Sequence, residues 1–141
     1  MKAGITVSES CTFCKIVRKE VPASVVYEDE TVIAFLSIHP INVGHTLIVP
    51  KKHYENIYEI SEEEVAYLYK IVKKVAAAVN RAVSAEGIRI LQNNGEAAGQ
   101  VIFHFHVHVI PMNMQHSFLG HRTIRDTNAL DEDAGRIRQF I

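Results

Sequence analysis

Long apolar runs are missing from this chain; none approaches the roughly 18–20 residues that a membrane-spanning helix requires. The opening residues 1–10 lack the apolar core of a secretory leader, so the expected location is the cytoplasm. A surplus of one charge sign is missing too. Lys and Arg number 15 against 16 Asp and Glu, a formal net charge of −1, so no basic field points to nucleic acid as a partner. Internal repeats and low-complexity tracts are also absent. Cysteine is scarce: two residues, both within Cys11-Thr12-Phe13-Cys14, which in a cytoplasmic chain speaks against a structural disulfide.

What is present fits a single packed domain: 141 residues, 48% hydrophobic and 22% charged. The cysteine pair admits three readings, a redox dithiol, half of a metal site, or two packed thiols. Nothing before Cys11 reads as the strand a redox motif normally follows, and two thiolates cannot by themselves close a four-coordinate zinc site. Histidine is plentiful, with 8 residues. The densest group is His104-Phe105-His106-Val107-His108-Val109-Ile110. On a strand the three imidazoles would share one face, and Phe103, Phe105, Val107 and Val109 the other. Neighbours two apart lie about 6.6 Å apart along a strand, so three rings spread over about 13 Å cannot easily share one centre. The row therefore divides its work, and histidine chemistry near neutral pH supplies the reason for its presence.

Around this group the punctuation is regular. Ser10 can cap a short helix running to Lys19, ended by Val21-Pro22. Residues 24–27 and 31–36 read as strands joined by a Glu28-Asp29-Glu30 turn, and 45–49 as a strand stopped by Pro50. Ser61-Glu62-Glu63-Glu64 is a capping box opening a long helix. Val65, Leu68, Tyr69, Val72, Val75, Ala76, Val79 and Val83 form its apolar stripe, and Gly87 ends it. Residues 88–92 read as a strand, 93–100 as a polar loop, and 101–110 as the histidine strand closed by Pro111. The order predicts an α+β fold with a five-stranded antiparallel sheet. Residues 112–141 read as a tail with Ile137, Phe140 and Ile141 as its apolar anchors, a short helix after Asp131, and His116 and His121 as solvated loop residues.

His104-Phe105-His106-Val107-His108-Val109-Ile110-Pro111 resembles the motif of the histidine-triad (HIT) nucleotide-binding proteins. So do Asn93-Asn94-Gly95-Glu96-Ala97-Ala98-Gly99-Gln100, Val43-Gly44-His45-Thr46-Leu47-Ile48-Val49-Pro50-Lys51-Lys52-His53 and Cys11-Thr12-Phe13-Cys14-Lys15-Ile16-Val17. These blocks stand in the family's order over residues 11–111, and are most similar to zinc-binding Hint-type and prokaryotic members, with a Fhit-like trait around Gly99-Gln100. The resemblance implies a HIT domain over 1–111, with one long and one short helix, followed by the 112–141 tail. It implies release of a nucleoside 5′-monophosphate, AMP above all, through a nucleotidyl-histidine on His106, with His108 and His45 as its catalytic partners. The alternative is a nucleotide-binding regulator with little turnover. Asn93, Gly99 and Gln100 are expected to contact phosphate, and Phe13, Ile16, Phe35, Leu36 and Ile38 to hold a purine, positions that any small core would also fill with apolar residues. Ser37 stands where Hint-like proteins often carry an aspartate for the ribose hydroxyls, and Val101 where many carry Ser or Thr. The implied zinc ligands are Cys11, Cys14, His53 and His104, a closed tetrahedron and hence a structural site. A homodimer joined around residues 62–93 is also implied. His39 receives no role.

Overall fold

The computed structural model describes residues 9–114 and 123–141, so the expectations for His116 and His121 lie outside the described residues. The elements run α1 (Thr12–Val17), β1 (Val25–Glu28), β2 (Val32–Leu36), β3 (Thr46–Pro50), α2 (Glu62–Val83), β4 (Gly87–Leu91), β5 (Val107–Met112) and α3 (Thr127–Arg138). The strands form one antiparallel sheet in the order β1-β2-β3-β5-β4.

Alternation along the strands separates two apolar layers. Val32, Ala34, Leu36, Ile48, Val107 and Val109 face α2, which buries Leu68, Ile71, Val72, Val75, Ala78 and Val79 against them. Ile33, Phe35, Leu47 and Val49 point the other way and pack on Phe13 and Ile16 of α1. The two helices thus cover opposite faces, and the site lies on the α1 side. Among the described residues no helix is long and apolar enough to cross a membrane.

Several boundaries differ from expectation for identifiable reasons. The cap of α1 is Cys11, whose sulfur accepts from the Cys14 N–H, rather than Ser10, and the helix stops at Val17. In α2, Ser61 caps the Glu64 N–H as expected, but the Glu64 carboxylate turns to Tyr54 and Lys52 instead of completing the box. That helix ends at Ser84, in a left-handed conformation at φ 53°, and Gly87 opens β4 instead. Tyr69 is largely solvent-facing, while Ile71 and Ala78 join the buried stripe. The tail helix starts earlier than expected, capped by Asp126. Leu130, Ala134 and Ile137 dock it into the α2-side core, whereas Phe140 and Ile141 stay exposed.

The largest correction concerns the histidines. The strand expected over 101–110 is β5, Val107–Met112, so only His108 of the three lies on it. Residues 104–106 are held otherwise: the Phe105 N–H donates to the Tyr54 carbonyl at 2.6 Å, and the Phe105 ring is buried in the core. Phe103, expected beside it, is 43% exposed. Pro111 does not close the strand. Pairing with β3 ends at Thr46↔Val109, so the missing N–H of Pro111 leaves no ladder partner stranded.

Candidate active site and metal centre

Two connections and one helix converge over the β3–β5–β4 surface. Leu47 on β3 lies opposite both Phe35 and His108, and Leu91 on β4 lies opposite His108. Leu47, Leu91 and His108, with Ile110, floor a cleft of about 480 Å³. Phe13 from α1 walls one side. Ser37, His39, Ile41 and His45 come from the β2–β3 connection, and Asn93, Gly99, Val101 and Ile102 from the β4–β5 connection. His106 and His108 face the same space.

Hydrogen bonds fix which nitrogen of each ring carries the proton. The Ile41 N–H donates to Nδ1 of His45 at 3.0 Å, so a neutral His45 carries its hydrogen on Nε2. That Nε2 meets Nδ1 of His108 at 3.0 Å, and donating to it leaves His108 with its own hydrogen on Nε2. Nδ1 of His106 lies 2.7 Å from the His104 carbonyl, which only accepts, so His106 is protonated there and keeps its lone pair on Nε2. Burial lowers the His106 pKa, against the opposing effect of that carbonyl bond, and favours the neutral ring. Phe13 packs edge-on against His106 at 5.2 Å between centroids. A neutral imidazole with a defined lone pair, walled by an aromatic ring, is the state a nitrogen nucleophile needs.

His104 belongs to a second centre. It is fully buried, and its Nε2–H donates to the Pro50 carbonyl at 2.8 Å, leaving the Nδ1 lone pair turned the other way. Nδ1 lies 3.4 Å from Cys11 Sγ, 3.6 Å from Cys14 Sγ and 3.2 Å from His53 Nδ1, and Cys14 Sγ lies 3.3 Å from His53 Nδ1. All four ligand atoms fall within 4.8 Å of one another. A tetrahedron built from ordinary zinc bond lengths has edges of about 3.3 Å between nitrogens and about 3.6 Å between nitrogen and sulfur. The cluster fits zinc. Burial, with a smaller contribution from the neighbouring His53 and His106, pushes the His104 pKa down to about 4, so the ring is ready as a neutral ligand. The Pro50 carbonyl supplies the outer hydrogen bond that ligating histidines normally make.

The glycine loop is built differently from expectation. Gly95 and Gly99 both sit at φ above 90°, a region only glycine enters freely. The N–H groups of Ala98, Gly99 and Gln100 bond back to the Gly95 and Glu96 carbonyls, so they close the loop rather than face the cleft. Gln100 is buried. Its Oε1 accepts from the Gly95 N–H, and Nε2 donates to the Glu55 and Ile102 carbonyls. With both amide hydrogens donated to backbone carbonyls, Gln100 braces the loop. Asn93 and Gly99 do line the cleft, as does Val101, which is 83% exposed and carries no donor.

The expected purine residues separate in the same way. Phe13 and Ser37 line the cleft. Ile16 and Phe35 lie beneath it in the packed layer, Leu36 faces α2, and Ile38 is 68% exposed outside the lining. Sequence reasoning missed Leu47, Leu91, Ile110, His39, Ile41 and Ile102. Leu47 and Ile110 were within reach, since each alternates with a site residue, His45 and His108 respectively.

The HIT domain pattern matches residues 18–115. The Bacillus subtilis protein named hit is 46% identical over 104 residues, covering 74% of this chain and 72% of its own length. An adenosine 5′-monophosphoramidase of Schizosaccharomyces pombe is 40% identical over 111 residues, covering 79% of this chain and 80% of that protein. The crystal structure of a zinc-bound histidine triad family protein from Mycobacterium smegmatis superposes with a TM-score of 0.83 at 34% identity, over 92% of this chain and 91% of that one. With its sheet, its histidines and these likenesses in agreement, the chain belongs to the histidine-triad (HIT) family.

Proposed function

We propose that the protein is a nucleotide hydrolase or transferase that releases a nucleoside 5′-monophosphate, with AMP as the reference product, through a nucleotidyl adduct on His106. One observation carries the reading: the His104 carbonyl holds the hydrogen of His106 on Nδ1, so the Nε2 lone pair belongs to a ring that lines the cleft. In the first step Nε2 of His106 forms a bond to the α-phosphorus, and the bond from phosphorus to the leaving group breaks, its electron pair departing with that group. Water then attacks the adduct and returns the ring. His108, its Nδ1 engaged by His45, donates from Nε2 to the phosphoryl oxygens, and Asn93 offers a side-chain amide from the opposite wall. Phe13 and Leu47 give the base an apolar bed, and the Ser37 hydroxyl serves the ribose. Leaving groups of the amine, phosphate, acyl and sulfate classes all fit this chemistry.

Zinc at Cys11, Cys14, His53 and His104 is structural in this reading, since four protein ligands leave no position for substrate. The protein works in the cytoplasm as a homodimer. Support for the dimer comes from β4, an edge strand with Ile90 exposed, and from the exposed Tyr69 on α2.

A second reading, a nucleotide-binding regulator with little turnover, draws on Val101, which puts a methyl-bearing side chain into the cleft beside the glycine loop. His106→Asn separates the two. Asparagine keeps hydrogen bonding but cannot form the phosphorus–nitrogen bond. The variant is expected to bind AMP like wild type and to release no monophosphate from adenosine 5′-phosphoramidate. Turnover surviving at the wild-type rate would refute the nucleophile. A wild-type protein that binds AMP but turns over none of a panel covering the four leaving-group classes would establish the regulator.

A further inference from the structure

We propose that the sugar end of the cleft takes 2′-deoxynucleotides on nearly equal terms with ribonucleotides, because Ser37 and His39 offer the sugar no charged acceptor. The inference deepens the nucleotide reading of the cleft and rests on it, but not on His106 as the attacking group.

Ser37 follows β2 directly. Leu36 still pairs with Thr46 across the sheet, and the Ser37 N–H donates to the His45 carbonyl at 2.9 Å. That bond fixes Ser37 beside His45, and both residues line the cleft. The hydroxyl is held as well: its oxygen accepts the His39 N–H at 3.2 Å. One lone pair and one hydrogen of Ser37 then remain for a ligand. His39, the second polar side chain that residues 37–41 place in the lining, brings a single ring lone pair when neutral. No Asp or Glu lines the cleft among the described residues, and residues 1–8 and 115–122 contain none.

A ribose differs from its 2′-deoxy form by one hydroxyl. A carboxylate can accept from two neighbouring hydroxyls in charge-assisted bonds, about twice as strong as neutral ones. Losing a bond to a charged group costs more than about tenfold in affinity, whereas losing one between neutral groups costs about two- to tenfold. With neutral imidazoles, Ser37 and His39 form only the second kind. The 3′-hydroxyl, which both sugars keep, is available to Ser37 from either.

The test measures dissociation constants of AMP and 2′-deoxy-AMP by calorimetry on the full chain, about two pH units above the ordinary histidine pKa, where imidazoles are neutral. The two ligands share base, 5′-phosphate and 3′-hydroxyl, so the ratio of their affinities isolates the 2′ position. A preference for AMP below about tenfold is expected, and a larger one would overturn the proposal. Binding of neither nucleotide would refute the nucleotide reading, and the proposal with it. Comparable binding of both by a protein that never forms an adduct on His106 would refute the nucleophile and leave the sugar specificity standing.

Ser37→Asp places a charged acceptor at the same point of the cleft. The variant is expected to raise the preference for AMP over 2′-deoxy-AMP by about tenfold or more relative to wild type, with amide spectra reporting the fold. An unchanged ratio in a folded variant would overturn the assignment of Ser37 to the sugar. Where Ser37→Asp does not fold, the wild-type ratio alone decides.

Discussion

His45 and Gln100 stand close to the same chemistry and serve it by different physics. His45 is in the proton chain itself, held by the Ile41 N–H and bonded to His108. Gln100 is absent from the cleft lining and ties the Gly95, Glu55 and Ile102 backbone together. His45→Ala is expected to lower turnover on the order of 10²–10³, the usual cost of one preorganised donor. Gln100→Ala is expected to cost stability instead, about 1–3 kcal/mol from buried groups left unpaired. Steady-state kinetics and thermal melts of both variants check the split, and a Gln100→Ala protein melting with wild type would contradict it. Side-chain type at fixed spacing announced the nitrogen chemistry, because nothing about packing calls for His104, His106 and His108. The engagement of Gln100 was not legible, since an amide beside glycines reads the same whether it faces a phosphate or a carbonyl. Likewise the separation of Phe13 from Ile16 and Phe35 depends on which apolar side chain ends at the surface of its layer, a tertiary outcome.

Among the elements, the β1–β2 hairpin carries a polar cluster with a clear pH signature. Burial pushes the Asp29 carboxyl up, but hydrogen bonds from Tyr67 and Tyr27 and from the Thr31 and Val32 N–H groups together outweigh it and hold it at about 2. A carboxyl held below its ordinary pKa of 3.8 adds stability that is complete above that pH and is lost as pH falls through about 2. Wild type should therefore melt above Asp29→Asn at neutral pH, with the gap closing between about pH 4 and pH 2. A gap independent of pH would show that the charge of Asp29 does not stabilise the turn. The turn itself was legible in Glu28-Asp29-Glu30, as were all five strands and α2, because period-2 and period-3.6 patterning is local. The histidine strand was misplaced at its start. Alternation persists through residues 104–106 even where the ladder does not, since Phe105 still seeks the core and His104 the cluster. Helix α3 began earlier than expected because Leu130 and Ala134 gain their value only from the surfaces of β1 and α2.

At the scale of the whole molecule, two anchors join parts distant in sequence. Arg138 and Asp131 of α3 secure it to the start of β1, Arg138 donating to the Val25 carbonyl and Asp131 accepting from the Ser24 hydroxyl. The Cys11–Cys14–His53–His104 cluster pins α1 to the segment that carries the nucleophile. Purified protein is expected to hold one zinc per chain, and Cys14→Ser to lower metal content and melting temperature together, since metal binding to the folded state is folding free energy. Metal analysis beside calorimetry checks this; zinc-free protein with an undiminished melting temperature would return the cysteines to simple packing. The most direct test of the account as a whole is to locate the covalent intermediate. Full-length protein is mixed with an adenylate bearing a good leaving group, quenched in base to preserve the acid-labile phosphorus–nitrogen bond, and mapped by peptide mass. One adenylyl group on His106 is the predicted result. An adduct on a different residue, or AMP released with no adduct at any time during rapid turnover, would contradict it.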